Sequence, residues 1–252
     1  MIYFASDFHL TPDDEINSRS REAMIVSWLK EIQRDARQLF LLGDLFDFWF
    51  EYGHVVPKGN VRLLGQIAVM SDAGIDIHLF PGNHDQWTFG YLEEELGIKV
   101  HPVPKTFHLG SKDFFLGHGD GLGPGDNGYK RIKKVFGNQG ARTLFRWLHP
   151  EWGIPLARKW SRRSRMTHGE EKYLDKSSEW LFQFANTHPQ REQMDYFIFG
   201  HRHLPLDLTL DNGRTRYINL GEWMNYRSYA RFDGKDIELL FYQNPEARFI
   251  GQ

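Results

Sequence analysis

The sequence of 252 residues contains no cysteine. No disulfide bond can therefore form, and no metal ion can be held by thiolate sulfur. Any metal site must use carboxylate, imidazole or amide ligands instead. The sequence also lacks a run of about 20 apolar residues, the length needed to span a bilayer, and no basic and apolar leader follows Met1. These absences favour a cytoplasmic protein and leave peripheral contact with a membrane open.

A strong net charge is absent as well. The chain has 31 Lys and Arg against 33 Asp and Glu, a formal charge of −2, so its overall balance selects no partner. We expect no nucleic-acid partner, and nothing in the sequence indicates an obligate protein partner. The 12 histidines are more informative, because histidine is the commonest metal ligand and carries protons near neutral pH. With 40% hydrophobic residues, the chain can bury one core, and we predict a single domain over residues 1–252.

The first half of the chain alternates short apolar runs with helical patterns. Residues 2–6, 39–42 and 75–80 are short apolar runs typical of buried strands. Between them, apolar residues recur with helical spacing in residues 25–32 and 61–68. Strands that alternate with helices in this way predict an α/β fold with a largely parallel central sheet.

From about residue 100 the pattern changes to strands joined by tight turns. Gly110-Ser111, Asp211-Asn212-Gly213 and Asp233-Gly234 each separate two short apolar runs, which is typical of β-hairpins. A second, more antiparallel sheet is therefore predicted. Together with the first half, it predicts an α/β sandwich, in which two mixed sheets are flanked by helices.

A strongly basic segment interrupts this pattern. Residues 130–172 carry 12 Lys and Arg against 3 Asp and Glu, which gives a local charge of about +9. Aromatic side chains are interleaved with the charges: Phe136, Phe145, Trp147, Trp152 and Trp160. We predict a helical insertion over about residues 127–180 that forms a cap on the domain. The alternative is an ordinary solvated helix face whose apolar stripe packs on the body.

Five polar motifs each follow an apolar run. In open α/β sheets, ligands bind at the carboxyl ends of the strands, so loops that follow several strands are expected to converge there. The glycine in four of the motifs allows the backbone to turn sharply. The motifs are Asp7-Phe8-His9, Gly43-Asp44-Leu45-Phe46-Asp47, Gly82-Asn83-His84-Asp85, Gly117-His118-Gly119-Asp120 and Gly200-His201-Arg202-His203.

The residue types in these motifs match a site for two divalent ions. Two such ions about 3.5–4 Å apart polarise a phosphate and lower the pKa of a shared water. They need a bridging carboxylate, and Asp44 is the expected one. Oxygen and imidazole donors without sulfur suit Mn²⁺, Fe²⁺ or Zn²⁺ better than Mg²⁺. We expect two divalent metal ions, with Mn²⁺ preferred and Fe or Zn as alternatives.

In order and spacing, the five motifs resemble those of the calcineurin-like metallophosphoesterase superfamily, over residues 7–203. The resemblance implies a phosphoester hydrolase with two metal ions sharing Asp44. One ion would be held by Asp44 together with Asp7, His9 and His203. The other would be held by Asp44 together with Asn83, His118 and His201.

The same resemblance implies roles for residues beside the ligands. His84 would lie beside the phosphate as a proton donor to the leaving oxygen or as a charge clamp, and Asp85 would orient its ring. Asp47 and Asp120 would contact the metal ligands on the side away from the ions and fix the orientation of those ligands. For these last two residues, a purely structural role is the alternative.

A finer resemblance is to the UDP-2,3-diacylglucosamine diphosphatases of lipid A biosynthesis. It rests on the chain length, the basic and aromatic insertion, Phe48-Trp49 beside the second motif, and the segment Asn219-Leu220-Gly221-Glu222-Trp223. It implies Mn²⁺-dependent attack of water on a glycolipid nucleotide, giving UMP and 2,3-diacylglucosamine 1-phosphate. Peripheral contact with the cytoplasmic face of the inner membrane would follow. Substrate contacts would fall on Asn83, His84, Asp126, Ser164 and His201.

His84 departs from that family, because many of its members carry arginine at this position. The chain therefore resembles a divergent branch that retains the histidine. Another metallophosphoesterase activity, such as a nucleotide phosphodiesterase or a nuclease, is the main alternative, since basic and aromatic side chains also hold single-stranded nucleic acid. A remoter alternative is a non-catalytic interaction scaffold of the same fold, which the retention of all seven predicted ligands disfavours.

Overall fold

The computed structural model describes residues 1–12, 15–124, 130, 133, 135–167 and 173–250, and of residues 15, 16 and 162–167 the backbone alone. Strands within this described part form two sheets. In chain order they are β1 Ile2–Ala5, β2 Gln38–Leu41, β3 Asp76–Leu79, β4 Lys99–Val100, β5 Lys105–Leu109, β6 Lys112–Leu116, β7 Tyr196–Phe199, β8 Pro205–Thr209, β9 Arg216–Leu220, β10 Ser228–Phe232 and β11 Ile237–Phe241.

Both sheets are mixed, as predicted. The first has the order β11-β10-β1-β2-β3-β4, in which β1 to β4 run parallel and β10 and β11 are antiparallel additions at one edge. The second has the order β5-β6-β7-β9-β8, with β6, β7 and β9 parallel and an antiparallel strand at each edge. The α/β sandwich expected from the sequence is therefore confirmed.

Helices cover the outer faces of the two sheets. Trp28 and Leu29 from one helix and Ile67 from another pack on the first sheet, while Leu181 and Phe182 pack on the second. Each of these three helices buries one apolar stripe, as an amphipathic helix does. The α-helices described are Glu15–Ile32, Val61–Asp72, Tyr91–Leu96, Gln139–Trp147, Pro150–Thr167 and Trp180–Thr187, and a 3₁₀ turn spans Arg191–Gln193.

A fully buried aromatic core joins the two sheets. The ring of Phe4 stacks on Phe40 at a centroid distance of 5.2 Å and on Phe114 at 5.8 Å, so the core connects the middle strands of the first sheet to the second. Burial of apolar surface contributes about 25 cal/mol per Å². This close packing fixes the relative positions of the strand ends, where the five motif loops begin.

The hairpin turns lie where the sequence predicted them, but the last one joins two strands of the first sheet, whereas all three were expected in the second. Gly110 has a φ of 63° between β5 and β6, Gly213 has 73° between β8 and β9, and Gly234 has 104° between β10 and β11. These left-handed values suit glycine, which has no Cβ to clash. The turns set the register of the antiparallel strands at the edges of both sheets.

The cap contains two described helices, the first Gln139–Trp147 and the second Pro150–Thr167. Ala157 of the second helix packs in a cluster with Phe48, Phe50 and Tyr52 of the body, and Phe145 of the first helix packs against the same cluster. The boundaries proposed for the insertion, about 127–180, begin in residues outside the described part. Within the described residues, no helix has both the length and the apolar character that crossing a membrane requires.

Candidate active site

The loops after β1, β2, β3, β6 and β7 bring the predicted metal ligands together. In the described part of the chain, three groups of side chains have donor atoms within 4.8 Å of one another. In each group two side chains are buried and the third is partly exposed. The groups are Asp7, His9 and His203; Asp44, His118 and His201; and His9, Asp44 and His84. The first two correspond to the two predicted half-sites, and the third shows that Asp44 reaches both.

The Asp44 carboxylate is 1% exposed and lies between the half-sites. Its Oδ1 accepts a hydrogen bond from the backbone N–H of His84 at 2.9 Å. Its Oδ2 lies 3.3 Å from Nε2 of His118 and 3.8 Å from Nε2 of His9. One carboxylate oxygen thus faces an imidazole from each half-site, which is the position that a bridging ligand must occupy.

The first half-site contains a buried oxygen that no hydrogen bond satisfies. Oδ1 of Asp7 accepts none from the described residues, although its Oδ2 accepts one from the backbone N–H of His201 at 3.0 Å. Oδ1 instead lies 3.2 Å from Nε2 of His203 and 3.6 Å from Nε2 of His9, and these two nitrogens are 3.0 Å apart. Buried polar atoms are normally paired, so three converging donor atoms without a hydrogen bond to Oδ1 fit a cation.

Hydrogen bonds at Nδ1 restrict the ring tautomers of two predicted ligands. Nδ1 of His9 lies 3.2 Å from Oδ1 of Asp47, and Nδ1 of His118 lies 2.7 Å from the carbonyl of Leu42. Because both partners are acceptors, each Nδ1 carries a hydrogen, so that in the neutral ring Nε2 has the lone pair that a metal ion would bind. Nε2 of His118 is also 3.2 Å from Oδ1 of Asn83. Asp47 thus contacts the ring of His9, and its supporting role stays a prediction.

Five of the seven predicted ligands have left-handed backbone conformations. Their φ angles are 56° for Asp7, 46° for His9, 54° for Asp44, 69° for His201 and 53° for His203. A side chain at such an angle costs on the order of 1–3 kcal/mol, and such strain persists where the surrounding structure enforces it. No sequence motif indicated these backbone conformations, which lie in the loops after β1, β2 and β7.

The motif glycines leave room for the ligands as well as turning the chain. A Cβ at Gly82 would overlap the Asp44 carboxylate, and one at Gly200 would overlap the Asp7 carboxylate. Any side chain at either position would displace a predicted metal ligand. Glycine is therefore required at these two positions for a second reason besides the sharp turns expected from the sequence: no side chain fits there.

The predicted role of Asp85 as the partner of the His84 ring is wrong. The Asp85 carboxylate is 1% exposed and accepts hydrogen bonds from the backbone N–H groups of Leu45 and Gly82 at 2.7 Å and of Asp44 at 3.2 Å. These buried donors need an acceptor, and the carboxylate supplies it. Asp85 therefore joins the loops after β2 and β3.

The His84 ring has other partners. Its Nδ1 lies 3.1 Å from the carbonyl of Asp47 and 2.5 Å from the hydroxyl of Ser161, which belongs to the second cap helix. Burial lowers the pKa of His84, and the charge of Asp44 partly opposes this effect. Sequence analysis missed Ser161 because no motif surrounds it and it lies 77 residues from His84.

Asp120 contacts the insertion. Its Oδ2 is 2.6 Å from Nζ of Lys133, which also donates to the Asp120 carbonyl at 2.9 Å. This ion pair joins the loop after β6 to the insertion. Asp126 lies outside the described residues, as does the side chain of Ser164, so the predicted substrate contacts there stay predictions.

A buried ion pair supports the loop after β7. Nε of Arg202 donates to both carboxylate oxygens of Glu179 at 3.0 and 3.1 Å, and the hydroxyl of Tyr217 donates to the same carboxylate at 3.0 Å. The guanidinium also lies 3.9 Å from the ring centre of Trp180. Since Arg202 stands between two predicted ligands, these contacts hold that loop. Glu179 stands in no motif, so nothing in the sequence indicated its role.

A cavity of about 230 Å³ opens on the His118 side of the centre. Gly82 and His118 are among the residues that line it. Polar and charged side chains on its wall include Gln86, Lys133 and Arg142, together with the imidazole of His101, whose pKa is lowered to about 4 by burial and by nearby positive charge. The cavity thus offers a neutral ring, the ion pair of Lys133 with Asp120, and the guanidinium of Arg142 next to the candidate metal centre.

The negative charges of the carboxylates raise the pKa values of two of the imidazoles. Burial lowers the pKa of His9, but the carboxylates of Asp47 and Asp7 outweigh it and raise that pKa to about 10. Burial likewise opposes the charge of Asp44 at His118, whose pKa rises to about 10. Protons on these two rings compensate buried negative charge where divalent cations would otherwise do so.

Residues 1–205 match the calcineurin-like phosphoesterase family, and the chain belongs to that family. The resemblance of the five motifs is thereby confirmed. Membership makes the chain a metal-dependent phosphoester hydrolase.

Two curated relatives match nearly the whole chain. A protein of Porphyromonas gingivalis named UDP-2,3-diacylglucosamine hydrolase is 39% identical, with 94% of this chain and 96% of the relative covered. A protein of the same name from Neisseria meningitidis serogroup B is 30% identical, with 92% and 94% covered. The finer resemblance to this group of hydrolases is therefore confirmed.

Solved structures resemble the chain more distantly. The phosphoesterase Yfce from E. coli is 17% identical with a TM-score of 0.44, covering 96% of this chain and 99% of its own. Vps29 from Entamoeba histolytica, complexed with zinc, is 10% identical with a TM-score of 0.42, again covering 96% and 99%.

Metal binding is expected to release protons. Because the pKa values of His9 and His118 are raised to about 10, both rings are protonated at neutral pH without metal, whereas a ligand must be neutral. Titration calorimetry with Mn²⁺ in buffers of different ionisation enthalpy should therefore give about two protons released per chain near pH 7.5. Affinity should rise with pH up to the folded pKa values. A titration without proton release would contradict this assignment.

Proposed function

We propose that this chain hydrolyses the pyrophosphate of UDP-2,3-diacylglucosamine, releasing UMP and 2,3-diacylglucosamine 1-phosphate. The observation that carries the proposal is the 39% identity, over 94% of the chain, to a relative named as a hydrolase of this compound. The convergence of the donor set around Asp44 supports the same chemistry. The reaction places the protein in the lipid A pathway.

Two divalent ions are part of this proposal, with Mn²⁺ as the preferred metal. Asp7, His9, Asp44 and His203 would hold one ion, and Asp44, Asn83, His118 and His201 would hold the other. The unsatisfied Oδ1 of Asp7 and the inward Nε2 atoms support this division. When bound, the ions supply Lewis-acid polarisation of the phosphate and a water of lowered pKa.

His84 is the proposed proton donor to the leaving oxygen. One of its ring nitrogens lies within 4.8 Å of donor atoms of His9 and Asp44, so the ring borders the centre. Burial lowers its pKa, but a phosphate beside the ring favours the protonated form by its negative charge. Asn83, His84 and His201 would contact the phosphate, and the resemblance extends the substrate contacts to Asp126 and Ser164.

The cap supplies the proposed surface for the acyl chains. Five apolar side chains of its two described helices are exposed, by fractions of 45 to 83%. Exposed apolar side chains on neighbouring helices are typical of contact with lipid. They are Leu144, Trp147, Trp152, Leu156 and Trp160. Arg142 and Arg146 on the first cap helix add positive charge, which favours anionic head groups.

The cavity beside His118 is the proposed position of the uridine half. Its volume of about 230 Å³ is below the range typical for drug-sized ligands, which suits a nucleoside better than two acyl chains. Gln86 and His101 offer hydrogen-bonding groups to a base, and Lys133 and Arg142 offer charge to phosphate. The substrate would then cross the centre, with its lipid on the cap and its nucleoside in the cavity.

The substrate assignment is tested by comparing hydrolysis rates after loading with Mn²⁺. UDP-2,3-diacylglucosamine, bis-p-nitrophenyl phosphate, a cyclic nucleotide and single-stranded DNA are offered at equal concentrations. We expect release of UMP from the lipid substrate to exceed generic diester hydrolysis by at least about 100-fold in kcat/KM, because only that substrate uses cap and cavity together. Equal rates on the lipid and generic esters would overturn the assignment, and preferential cleavage of DNA would favour a nuclease.

Removing the proposed proton donor should separate catalysis from metal binding. We expect His84→Ala to keep two ions per chain, as measured by mass spectrometry of the metals, while kcat falls by about 10²–10⁴. Wild-type turnover in this variant would exclude the acid role. Loss of metal from it would show that His84 acts as a ligand.

Contact of the cap with a membrane is tested with vesicles. The wild-type chain should sediment with vesicles that contain anionic lipid, and the double substitution Trp147→Ser with Trp152→Ser should weaken this binding at least about fivefold, because both rings are largely exposed. Val69→Ser, an exposed apolar residue on a body helix, is the control and should bind as the wild type does. Equal sedimentation of all three proteins would contradict a role for the cap.

A further inference from the structure

Three atoms from distant parts of the chain meet behind the His84 ring. The ring Nδ1 lies 2.5 Å from Oγ of Ser161 and 3.1 Å from the carbonyl oxygen of Asp47. Oγ of Ser161 lies 2.5 Å from the same carbonyl oxygen. Ser161 is 77 residues from His84 and 114 from Asp47, so only the folded cap brings them together.

The positions of the hydrogens follow from these distances. A carbonyl oxygen only accepts, so the Ser161 hydroxyl donates its hydrogen to Asp47. The lone pairs of Oγ then face Nδ1 of His84, and both neighbours of that nitrogen are acceptors. Nδ1 must therefore carry a hydrogen, and Nε2 is left as the nitrogen that exchanges a proton with a ligand at the centre.

The second cap helix packs on the body with Ser161 on its inner face. Ala157 lies four residues before Ser161, and residues at this spacing share one face of a helix. Ala157 is 9% exposed within the cluster of Phe48, Phe50 and Tyr52, and Ile154 packs against the same cluster. Trp152 and Leu156 of this helix are exposed. Packing of the cap on the body therefore places the Ser161 hydroxyl next to the His84 ring.

We propose that Ser161 is a positioning residue for His84, which fixes its tautomer and ring orientation for proton transfer at Nε2. This inference rests on the proposed role of His84 in phosphoester hydrolysis, and it does not depend on which phosphoester is the substrate. It assigns the cap a second task besides lipid contact, because the hydroxyl that orients the ring comes from the cap and not from the body.

The test compares Ser161→Ala and Ser161→Thr with the matched control Ser177→Ala, an exposed serine whose hydroxyl donates to Asp175 in the same loop. Two generic diesters serve as substrates, one with a phenyl and one with a p-nitrophenyl leaving group. The phenyl ester has the more basic leaving oxygen and depends more on a proton donor. We expect Ser161→Ala to lower kcat for the phenyl ester about tenfold, the effect of one hydrogen bond, with KM within about twofold. The p-nitrophenyl ester should be affected less.

Three further measurements test whether Ser161 acts through His84. Ser161→Thr keeps the hydroxyl and should recover most of the lost kcat, while Ser177→Ala should match the wild type. In a His84→Ala background, adding Ser161→Ala should change kcat by less than about twofold, because residues that act through one another are not additive. An equal loss on both esters, an equal loss without His84, or no loss at all would overturn the proposal. Failure of the chain to cleave the lipid substrate would refute the proposed function alone.

Discussion

The Asp44 carboxylate lies among buried imidazoles at the point where the loops after β1, β2, β3, β6 and β7 meet. Charged groups removed from water are costly unless they are paired, so this arrangement needs compensating charge. Protons on His9 and His118 supply it in the absence of metal, and divalent cations supply it better because they also satisfy Oδ1 of Asp7. The strained φ angles of five predicted ligands serve the same end, since they direct those side chains inward.

The rest of the fold holds this cluster in place. The stacked rings of Phe4, Phe40 and Phe114 join the two sheets, so the strand ends have fixed positions. Asp85 then joins two loops through their backbone N–H groups, and the buried pair of Arg202 with Glu179 holds a third. Because several independent contacts fix each loop, the left-handed ligand conformations can be maintained.

Much of the fold and of the candidate site could be predicted from the sequence. Alternating strands and helices gave the sandwich, and the five motifs identified the residues that converge, because the period of a buried strand and the position of its carboxyl end are local properties. The role of Asp85 was predicted wrongly, since its partners are backbone groups that no motif shows. Ser161 and Glu179 were missed because their contacts depend on how the insertion packs, which residue spacing does not encode. The predicted contacts at Asp126 and Ser164 stay predictions.

The central claim is that one carboxylate serves two metal ions. Counting bound Mn²⁺ by native mass spectrometry in four proteins tests it most directly. The wild type should carry two ions per chain, His203→Ala and His201→Ala should each retain one tightly bound ion, and Asp44→Ala should retain none at the same free metal concentration. Two ions in Asp44→Ala, or loss of a single ion from it, would contradict a bridge at Asp44.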